Sequence, residues 1–332
     1  MMALLGRQIG LHDDGTIVVA FAETATAIGA VAADTIGEDC FFIHSTRAQV
    51  PDGMDSLSFN EHHSHAVEHH LFGCNLFEIL SSAKHVVLVD DEFTTGNTLS
   101  NAIESLREYW NARDCVDVHA ASIINRMDDR TLDSFSVDGV HLHQLTRSVD
   151  VNIEDAIRDI TECGAQTVRG DDGFTFDVVE CRGMVPDPRM GARVGDYRKS
   201  CERLFGLIEG RVRDTLPKRS RIAVIGTEEC MFPSLAIGRL LEHSEGAYEV
   251  LCHSTTRSPI CVSDHEGYPI TNGFELRSVY DAQRRTFLYN LDSYDLVLVV
   301  SDARAETLSE GADDLACAMA AYGCRRFLWV AI

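Results

Sequence analysis

The chain has 332 residues, of which 45% are hydrophobic, and this length and composition favour two well-packed globular domains over disorder. Its 52 acidic residues against 29 basic ones give a net charge of -23 at pH 7, which argues against binding to nucleic-acid backbones or anionic membranes. The 11 cysteines form no CxxC pair, and neither a signal-peptide pattern nor a membrane-length apolar run is visible, so we expect a cytoplasmic protein with reduced thiols.

Short apolar runs alternate with helical patterns along the first half of the chain. The predicted strands are 16–22, 40–46, 86–89, 116–124 and 140–145, and the predicted helices are 25–34 and 99–110. Nearly continuous apolar strands separated by helices are typical of a parallel α/β sheet.

Residues 165–218 carry glycines, prolines and charges without clear periodicity, apart from a helical pattern at Tyr197–Arg213. A second α/β pattern follows, with strands at 221–226, 248–254, 294–300 and 326–332 and helices at 234–243 and 313–323. We therefore predict an N-terminal domain over 1–165, a connector over 166–218 and a C-terminal domain over 219–332.

The second half echoes the first. FAETATAIG resembles GTEECMFPSLAIG, FIHSTRAQ resembles LCHSTTRSP, and VVLVDDEFTTGNT falls opposite VLVVSDARAET. The separations also agree, since His44 lies 46 residues before Asp90 and His253 lies 49 residues before Asp302. Chance similarity of short words is the alternative, but the shared order and spacing favour a C-terminal domain that is a degenerate copy without the TTGNT loop.

The stretch VVLVDDEFTTGNT (86–98) is the strongest functional signal. Asp90 and Asp91 follow a buried strand, at the end where ligands bind in open α/β sheets. A small polar loop then leads into a helix, made of Thr94, Thr95, Gly96, Asn97 and Thr98. A helix N-terminus, a glycine and hydroxyl groups suit a phosphate monoester, and the carboxylates suit sugar hydroxyls or hydrated magnesium. The alternative is an N-capped helix with the aspartates on a solvated rim.

This stretch resembles the phosphoribosyl-pyrophosphate (PRPP) signature of type I phosphoribosyltransferases. Together with TRSP at 256–259, FAETATAIG, HSTR and EHHSHAVEHHL, the chain also resembles the bacterial phosphoribosyltransferase family with a C-terminal TRSP domain, which is associated with tellurium-resistance and stress gene clusters. The resemblance implies a type I fold for the N-terminal domain and transfer of phosphoribosyl from Mg-PRPP to a nucleobase-like acceptor. It also implies that Asp90 and Asp91 contact the ribose and that Thr94–Thr98 hold the 5′-phosphate.

By the same resemblance, AFAETATAIG lies where type I enzymes carry their pyrophosphate-binding loop. The loop residues would be Ala22, Glu23, Thr24, Ala25 and Thr26. Glu23 departs from the expected pattern because it puts an acid beside an anion, and an ordinary helix start is the alternative. Arg47 is the only strong base in the following loop, and we expect it to join Asp90 and Asp91 as a catalytic residue by contacting pyrophosphate.

The segment from Glu61 to Leu71 holds a cluster of histidines. They are His62, His63, His65, His69 and His70, and on a helix His65 and His69 would share one face. Metal ligation, contact with pyrophosphate or the acceptor, and a solvated set of histidines are all compatible with this composition, so the metal ligands are unknown from sequence.

A second anion site is predicted in the C-terminal half, near Glu228. Its residues are His253, Ser254, Thr256, Arg257 and Ser258. The stretch 278–291 adds two basic residues to this prediction, Arg284 and Arg285. The alternative is that they lie on the surface of a helix and pair with acidic residues. The partners expected are small molecules, PRPP and an acceptor, with a homodimer left open. A non-enzymatic sensor of PRPP or a nucleotide is the competing function.

Overall fold

The computed structural model describes residues 1–60, 68–109, 116–148, 160–170, 174, 176–303 and 310–332. The chain forms two compact units. Unit 1 comprises Met1–Val151 and Pro186–Lys199, and unit 2 comprises Asn152–Val185 and Ser200–Ile332. In the part of the chain so described, no helix has the length and apolar character needed to cross a membrane.

The strands are named in chain order. They are β1 (Thr16–Ala20), β2 (Phe41–His44), β3 (Asp55–Asn60), β4 (Glu68–Gly73), β5 (His85–Phe93), β6 (Asp117–Asn125), β7 (Val140–Arg147), β8 (Gln166–Thr167), β9 (Phe176–Glu180), β10 (Ala192–Arg193), β11 (Arg221–Gly226), β12 (Glu249–Ser254), β13 (Gly273–Arg277), β14 (Arg285–Tyr289), β15 (Leu296–Ser301) and β16 (Phe327–Ala331). The α-helices are α1 (Met2–Ile9), α2 (Ala25–Ile36), α3 (Leu76–Ser82), α4 (Asn97–Tyr109), α5 (Asp129–Val137), α6 (Val194–Thr215), α7 (Phe232–Glu242) and α8 (Glu310–Ala321).

Unit 1 is built on a six-stranded sheet in the order β10-β2-β1-β5-β6-β7, parallel except for β10. Ile17 and Val19 of β1 face a core formed with α3, α4 and the β3–β4 hairpin. Ala20 faces the opposite side, where a Cβ on Gly29 of α2 would lie 2.5 Å from the Ala20 Cβ. The carboxyl ends of β1, β2, β5 and β6 share one edge, which is where a ligand site is expected.

Unit 2 contains a five-stranded parallel sheet in the order β12-β11-β15-β16-β9 and a small sheet in the order β14-β13-β8. Ala223 and Ile225 of β11 face a core shared with β15, β16 and α8. Helix α7 packs on β11 and β12, where a Cβ on Gly238 would lie 2.5 Å from the Cys252 Sγ. Glycine is therefore needed at the matching helix positions, 29 and 238, of both units.

The predicted fold class is confirmed, because each unit holds a parallel α/β sheet. Taken in chain order from β1 and from β11, the four central parallel strands of each unit are arranged as second, first, third and fourth. Both units also insert an antiparallel hairpin between the second and third of these strands, β3–β4 in unit 1 and β13–β14 in unit 2. This shared order supports the interpretation of the second half as a copy of the first.

Several local predictions are wrong. The helix considered for the histidine segment is a strand over 68–73, while residues 61–67 lie outside the described residues. Residues 278–291 are a loop followed by β14, and not a helix. Residues 176–180, which lie within the stretch predicted as a connector, form β9 and pair with β16, while the connector itself stays a prediction. Both hairpins escaped the sequence analysis because their short strands mix polar and apolar residues.

Candidate active site

Strand β5 continues through Asp90 and Asp91 and ends at Phe93, four residues later than predicted. The ladder to β6 explains the difference, because Asp90 pairs with Ser122 and Glu92 pairs with Ile124. The carboxylates therefore lie within the last part of the strand, on a backbone held by the neighbouring strand. Such a strand end is a rigid place for a binding group.

The two aspartates and Arg47 form one electrostatic group. The Asp91 N–H donates to the Asp90 Oδ1 at 2.9 Å. Burial, followed by the neighbouring Asp91 charge, raises the pKa of Asp90 well above its usual range, and the Arg47 guanidinium partly offsets this rise. The arrangement leaves Asp90 ready to accept hydrogen bonds from sugar hydroxyls or to approach a cation, since either would stabilise its ionised form.

The loop after β5 leads directly into α4. Thr94, Thr95 and Asn97 are exposed, and Thr98 is half-buried, whereas Gly96 is buried. The Gly96 carbonyl accepts from Ser100 N at 2.9 Å, so the helix starts at this point and the N–H groups of its first turn lie beside the loop. Helix starts of this kind attract anions.

Gly96 has no substitute in this conformation. Its φ of 78° lies in the left-handed region, which favours glycine. A Cβ there would also lie 2.8 Å from the Met127 Sδ, 2.9 Å from the Phe135 Cε2 and 3.2 Å from the Thr131 Cγ2. The backbone turn is thus packed tightly against α5 and the segment before it.

The predicted pyrophosphate loop, residues 22–26, joins β1 to α2. Phe21 N donates to the Val89 carbonyl at 2.9 Å, which ties the loop to β5. The peptide bond between Ala22 and Glu23 is cis. Of the five predicted residues only Thr24 is exposed, and the buried ones are Ala22, Glu23, Ala25 and Thr26. The Thr26 hydroxyl donates to the Glu23 carbonyl at 3.0 Å and fixes the start of α2.

A buried Ser–His pair, which no local sequence pattern indicates, supports this loop. Ala22 N donates to the Ser45 Oγ at 2.8 Å, and the Ser45 Oγ lies 2.9 Å from the His69 Nδ1. The Ser45 hydroxyl thus bonds both to the loop backbone and to the imidazole ring. His69 is 1% exposed and stacks on Phe59 with ring centroids 5.2 Å apart. The pair thus connects the loop to the β3–β4 hairpin.

The remaining histidines give no metal site within the described ranges. His70 is bonded to the Ser58 Oγ at 2.8 Å, and His62, His63 and His65 lie outside the described residues. Across the residues that the structure describes, no group of three or more His, Cys, Asp or Glu side chains is arranged to hold a metal ion.

The residues predicted as a second anion site do not all point to one place. His253 lies at the end of β12, with its Nε2 3.0 Å from the Tyr294 hydroxyl, and burial lowers the pKa of this imidazole. Ser254 is half-buried as the last residue of the strand. The backbone of Thr256 forms two hydrogen bonds with that of Phe287, so its N–H and carbonyl groups hold the segment against β14.

Arg257 is the charged member of that predicted site, and it meets carboxylates. Its Nε lies 2.7 Å from the Glu228 Oε2, and a guanidinium nitrogen lies 3.8 Å from the Glu229 Oε1. Ser258 follows in the turn, where its N–H donates to the Thr256 Oγ1 at 3.1 Å. The structure therefore joins Arg257 to Glu228, whereas the His253 imidazole bonds to Tyr294.

Two family models match the sequence. A model described as phosphoribosyl transferase matches residues 1–153, and a model described as the TRSP domain C-terminal to that transferase matches residues 189–316. No curated protein matches the chain.

Solved structures also resemble the N-terminal half. An adenine phosphoribosyltransferase from Rhodothermus marinus is 13% identical with a TM-score of 0.32, covering 44% of this chain and 77% of that one. The Trypanosoma brucei enzyme, in complex with AMP, pyrophosphate and ribose-5-phosphate, is 16% identical with a TM-score of 0.31, covering 44% and 62%. The Giardia lamblia enzyme, with 9-deazaadenine, is 14% identical with a TM-score of 0.30, covering 43% and 72%.

The two family models fall on the two halves of the sequence in the order that their descriptions state. The chain therefore belongs to the phosphoribosyl transferase family that carries a C-terminal TRSP domain, and it is a phosphoribosyltransferase.

Proposed function

We propose that unit 1 binds Mg-PRPP at the carboxyl edge of β1, β2 and β5 and transfers its phosphoribosyl group to a nucleobase-like acceptor, releasing pyrophosphate. The single observation that carries this proposal is the position of Asp90 and Asp91 beside the Gly96 turn at the start of α4. Carboxylates for a sugar and N–H groups for its phosphate lie within a few residues of each other.

In this proposal, the 5′-phosphate lies against residues 94–98. The first turn of α4 supplies unpaired N–H groups and a favourable dipole, and the exposed Thr94 and Thr95 hydroxyls supply further donors. The buried Gly96 allows the backbone to turn tightly between β5 and the helix. The ribose hydroxyls then donate to Asp90 and Asp91, which favours the ionised form of the raised-pKa carboxyl.

The diphosphate is proposed to lie between residues 22–26 and Arg47. The loop is held from behind by the Ser45 hydroxyl, which fixes Ala22 N, and Arg47 lies close enough to act electrostatically on Asp90. Binding therefore gathers both ends of the substrate around one strand edge. Arg47 is the residue that would balance the diphosphate charge.

Magnesium fits this donor set as a partner of the substrate. Asp90 and Asp91 provide the carboxylate oxygens that Mg²⁺ prefers, while phosphate oxygens of PRPP would complete its ligands, as is usual for this ion. When bound, Mg²⁺ neutralises charge on the departing diphosphate.

Catalysis in this account is mainly positioning. The transition state at C1′ is oxocarbenium-like, and the protein holds the ribose at Asp90 and Asp91 and the leaving group at Arg47 so that the acceptor can attack. A role in a stress-linked or tellurium-resistance pathway and a cytoplasmic location belong to the same proposal. A homodimer likewise stays a prediction from the sequence.

The test is pyrophosphate release from Mg-PRPP across a panel of nucleobases and related heterocycles. The proposal expects at least one acceptor to accelerate release, and expects Arg47→Ala to lower kcat/KM on the order of 100-fold or more, as for the loss of a charge-stabilising group. PRPP binding without release for any acceptor would favour the sensor over the enzyme. No binding of PRPP at all would refute the site.

A further inference from the structure

The two units repeat one pattern of contacts around the loop after their first central strand. In unit 1, Phe21 N donates to Val89 O (2.9 Å) and Ser45 N donates to Ala20 O (2.8 Å). Ala22 N donates to the Ser45 Oγ (2.8 Å), and the backbones of Thr46 and His70 bond to each other in both directions (2.8 and 2.9 Å). In unit 2, Thr227 N donates to Val300 O (3.3 Å) and Thr255 N donates to Gly226 O (3.0 Å). Glu228 N donates to the Thr255 Oγ1 (3.0 Å), and the backbones of Thr256 and Phe287 bond to each other in both directions (2.9 and 2.7 Å). The backbone around the proposed pyrophosphate loop therefore exists twice.

This pattern fixes which residues correspond. Thr255 stands where unit 1 has Ser45, and each hydroxyl accepts from the loop N–H. Arg257 consequently stands at the position of Arg47. The important difference is in the loop itself, where unit 1 has Ala22 and unit 2 has a glutamate, Glu228.

The Glu228 carboxylate lies at the centre of a set of donors. Its Oε2 is 2.7 Å from the Arg257 Nε and 2.9 Å from an Arg284 guanidinium nitrogen. The Ser278 hydroxyl donates to its other oxygen. Glu228 is 1% exposed, so these donors surround a buried anion. Two guanidinium groups and a hydroxyl around one buried anion are also the groups that recognise a phosphate.

The loop between β13 and β14 closes over the same place. It supplies Ser278 and Arg284 to the carboxylate, and the Tyr280 hydroxyl bonds to the Asp302 Oδ1 and lies 2.7 Å from the Thr227 Oγ1. Asp302 comes directly after β15. The strand pairings of the two units show that it corresponds to Asp91 of unit 1. In unit 2, therefore, the Tyr280 hydroxyl already bonds to the strand-end aspartate.

We infer that unit 2 retains the anion-binding cradle of the duplicated scaffold and fills it with its own Glu228 carboxylate, which takes the place of a phosphate or diphosphate. The cradle is a self-occupied site, and unit 2 is silent toward PRPP while Glu228 is present. Removing this carboxylate leaves Arg257, Arg284 and Ser278 facing the space it filled, so the vacated cradle accepts inorganic pyrophosphate. This inference goes beyond the proposed function but rests on it in one respect, since the cradle is matched to the proposed pyrophosphate loop of unit 1.

The test is calorimetric titration of the full chain with inorganic pyrophosphate. Glu228→Gly is the main variant, because residue 228 has a φ of 45° that glycine adopts without strain. Relative to the wild type, this variant is expected to gain one pyrophosphate site per chain. Adding Arg257→Ala should weaken the gained site at least about tenfold, since it removes a charge-assisted contact.

Stoichiometry separates this inference from the proposed function. From the wild type to Glu228→Gly, the number of pyrophosphate sites per chain should rise from one to two if unit 1 also binds pyrophosphate. It should rise from zero to one if unit 1 does not. If Glu228→Gly is poorly folded, pyrophosphate should raise its melting temperature and that of Glu228→Ala, which also empties the cradle, because ligands stabilise the state they bind. Pyrophosphate binding in unit 2 of the wild type, or no gained site and no thermal shift in either variant, would overturn the inference.

Discussion

Replacing Gly96 by alanine tests the proposed phosphate loop through its backbone. The residue has a φ of 78°, and that conformation alone costs an alanine about 1 kcal/mol. The new methyl group would also lie 2.8 to 3.2 Å from side-chain atoms of Met127, Phe135 and Thr131. Overpacking of that kind costs a further ~1–3 kcal/mol, so we expect Gly96→Ala to lower the free energy of unfolding by about 2–4 kcal/mol.

Gly139 provides a matched control in the same unit. Its φ is 76°, but a Cβ there would meet nothing within 4 Å, so Gly139→Ala should show only the backbone cost of about 1 kcal/mol. Urea unfolding followed by circular dichroism gives both values. Activity should fall in Gly96→Ala and persist in Gly139→Ala. Equal destabilisation by the two substitutions would refute the packing argument for the loop.

Three further predictions concern hydrogen bonds and charges. Burial and Asp91 raise the pKa of Asp90, so its ionisation opposes folding, and the stability gain of Asp90→Asn in thermal unfolding should be small at pH 4 and larger at pH 8. Ser45→Ala should raise the KM for PRPP about tenfold with little change in kcat, because Ala22 N loses its acceptor, while Ser45→Thr, the residue used in unit 2, should restore KM. Arg277→Ala should destabilise unit 2 by about 3–5 kcal/mol, since the fully buried Asp314 carboxylate accepts from Arg277 at 2.7 and 2.8 Å. Burial opposes ionisation of Asp314, but these bonds hold its pKa below the usual value of 3.8. The stability that the ionised carboxylate contributes should therefore be present above that pH and be lost in acid unfolding as the pH falls below it.

The parts of the site that sequence could predict are those carried by contiguous residues. The PRPP-like stretch places Asp90, Asp91 and the loop to Thr98 within one strand–turn–helix unit, and local patterns are enough to recognise such a unit. The helix and strand pattern of both sheets was readable for the same reason. The roles of these residues, and the boundaries predicted at 165 and 218, stay predictions.

The parts that sequence could not predict depend on contacts between distant residues. Ser45 and His69 are 24 positions apart and meet only because a hairpin returns His69 to the end of β2. The two strands of this hairpin, DSLSFN and EHHLFG, could not be predicted because they are short and partly polar. Likewise, nothing local in the word TEEC shows that Glu228 faces two arginines, one of which is 56 positions further along the chain.

The most direct measurement for the central claim is titration of the protein with PRPP in the presence of magnesium. The account predicts one PRPP site per chain, lost when Asp90→Asn and Asp91→Asn are combined. Asp302→Asn changes the corresponding strand end in unit 2 and should leave PRPP binding intact. Unchanged binding in the double variant, or loss of binding in Asp302→Asn alone, would contradict the assignment of the phosphoribosyl site to unit 1.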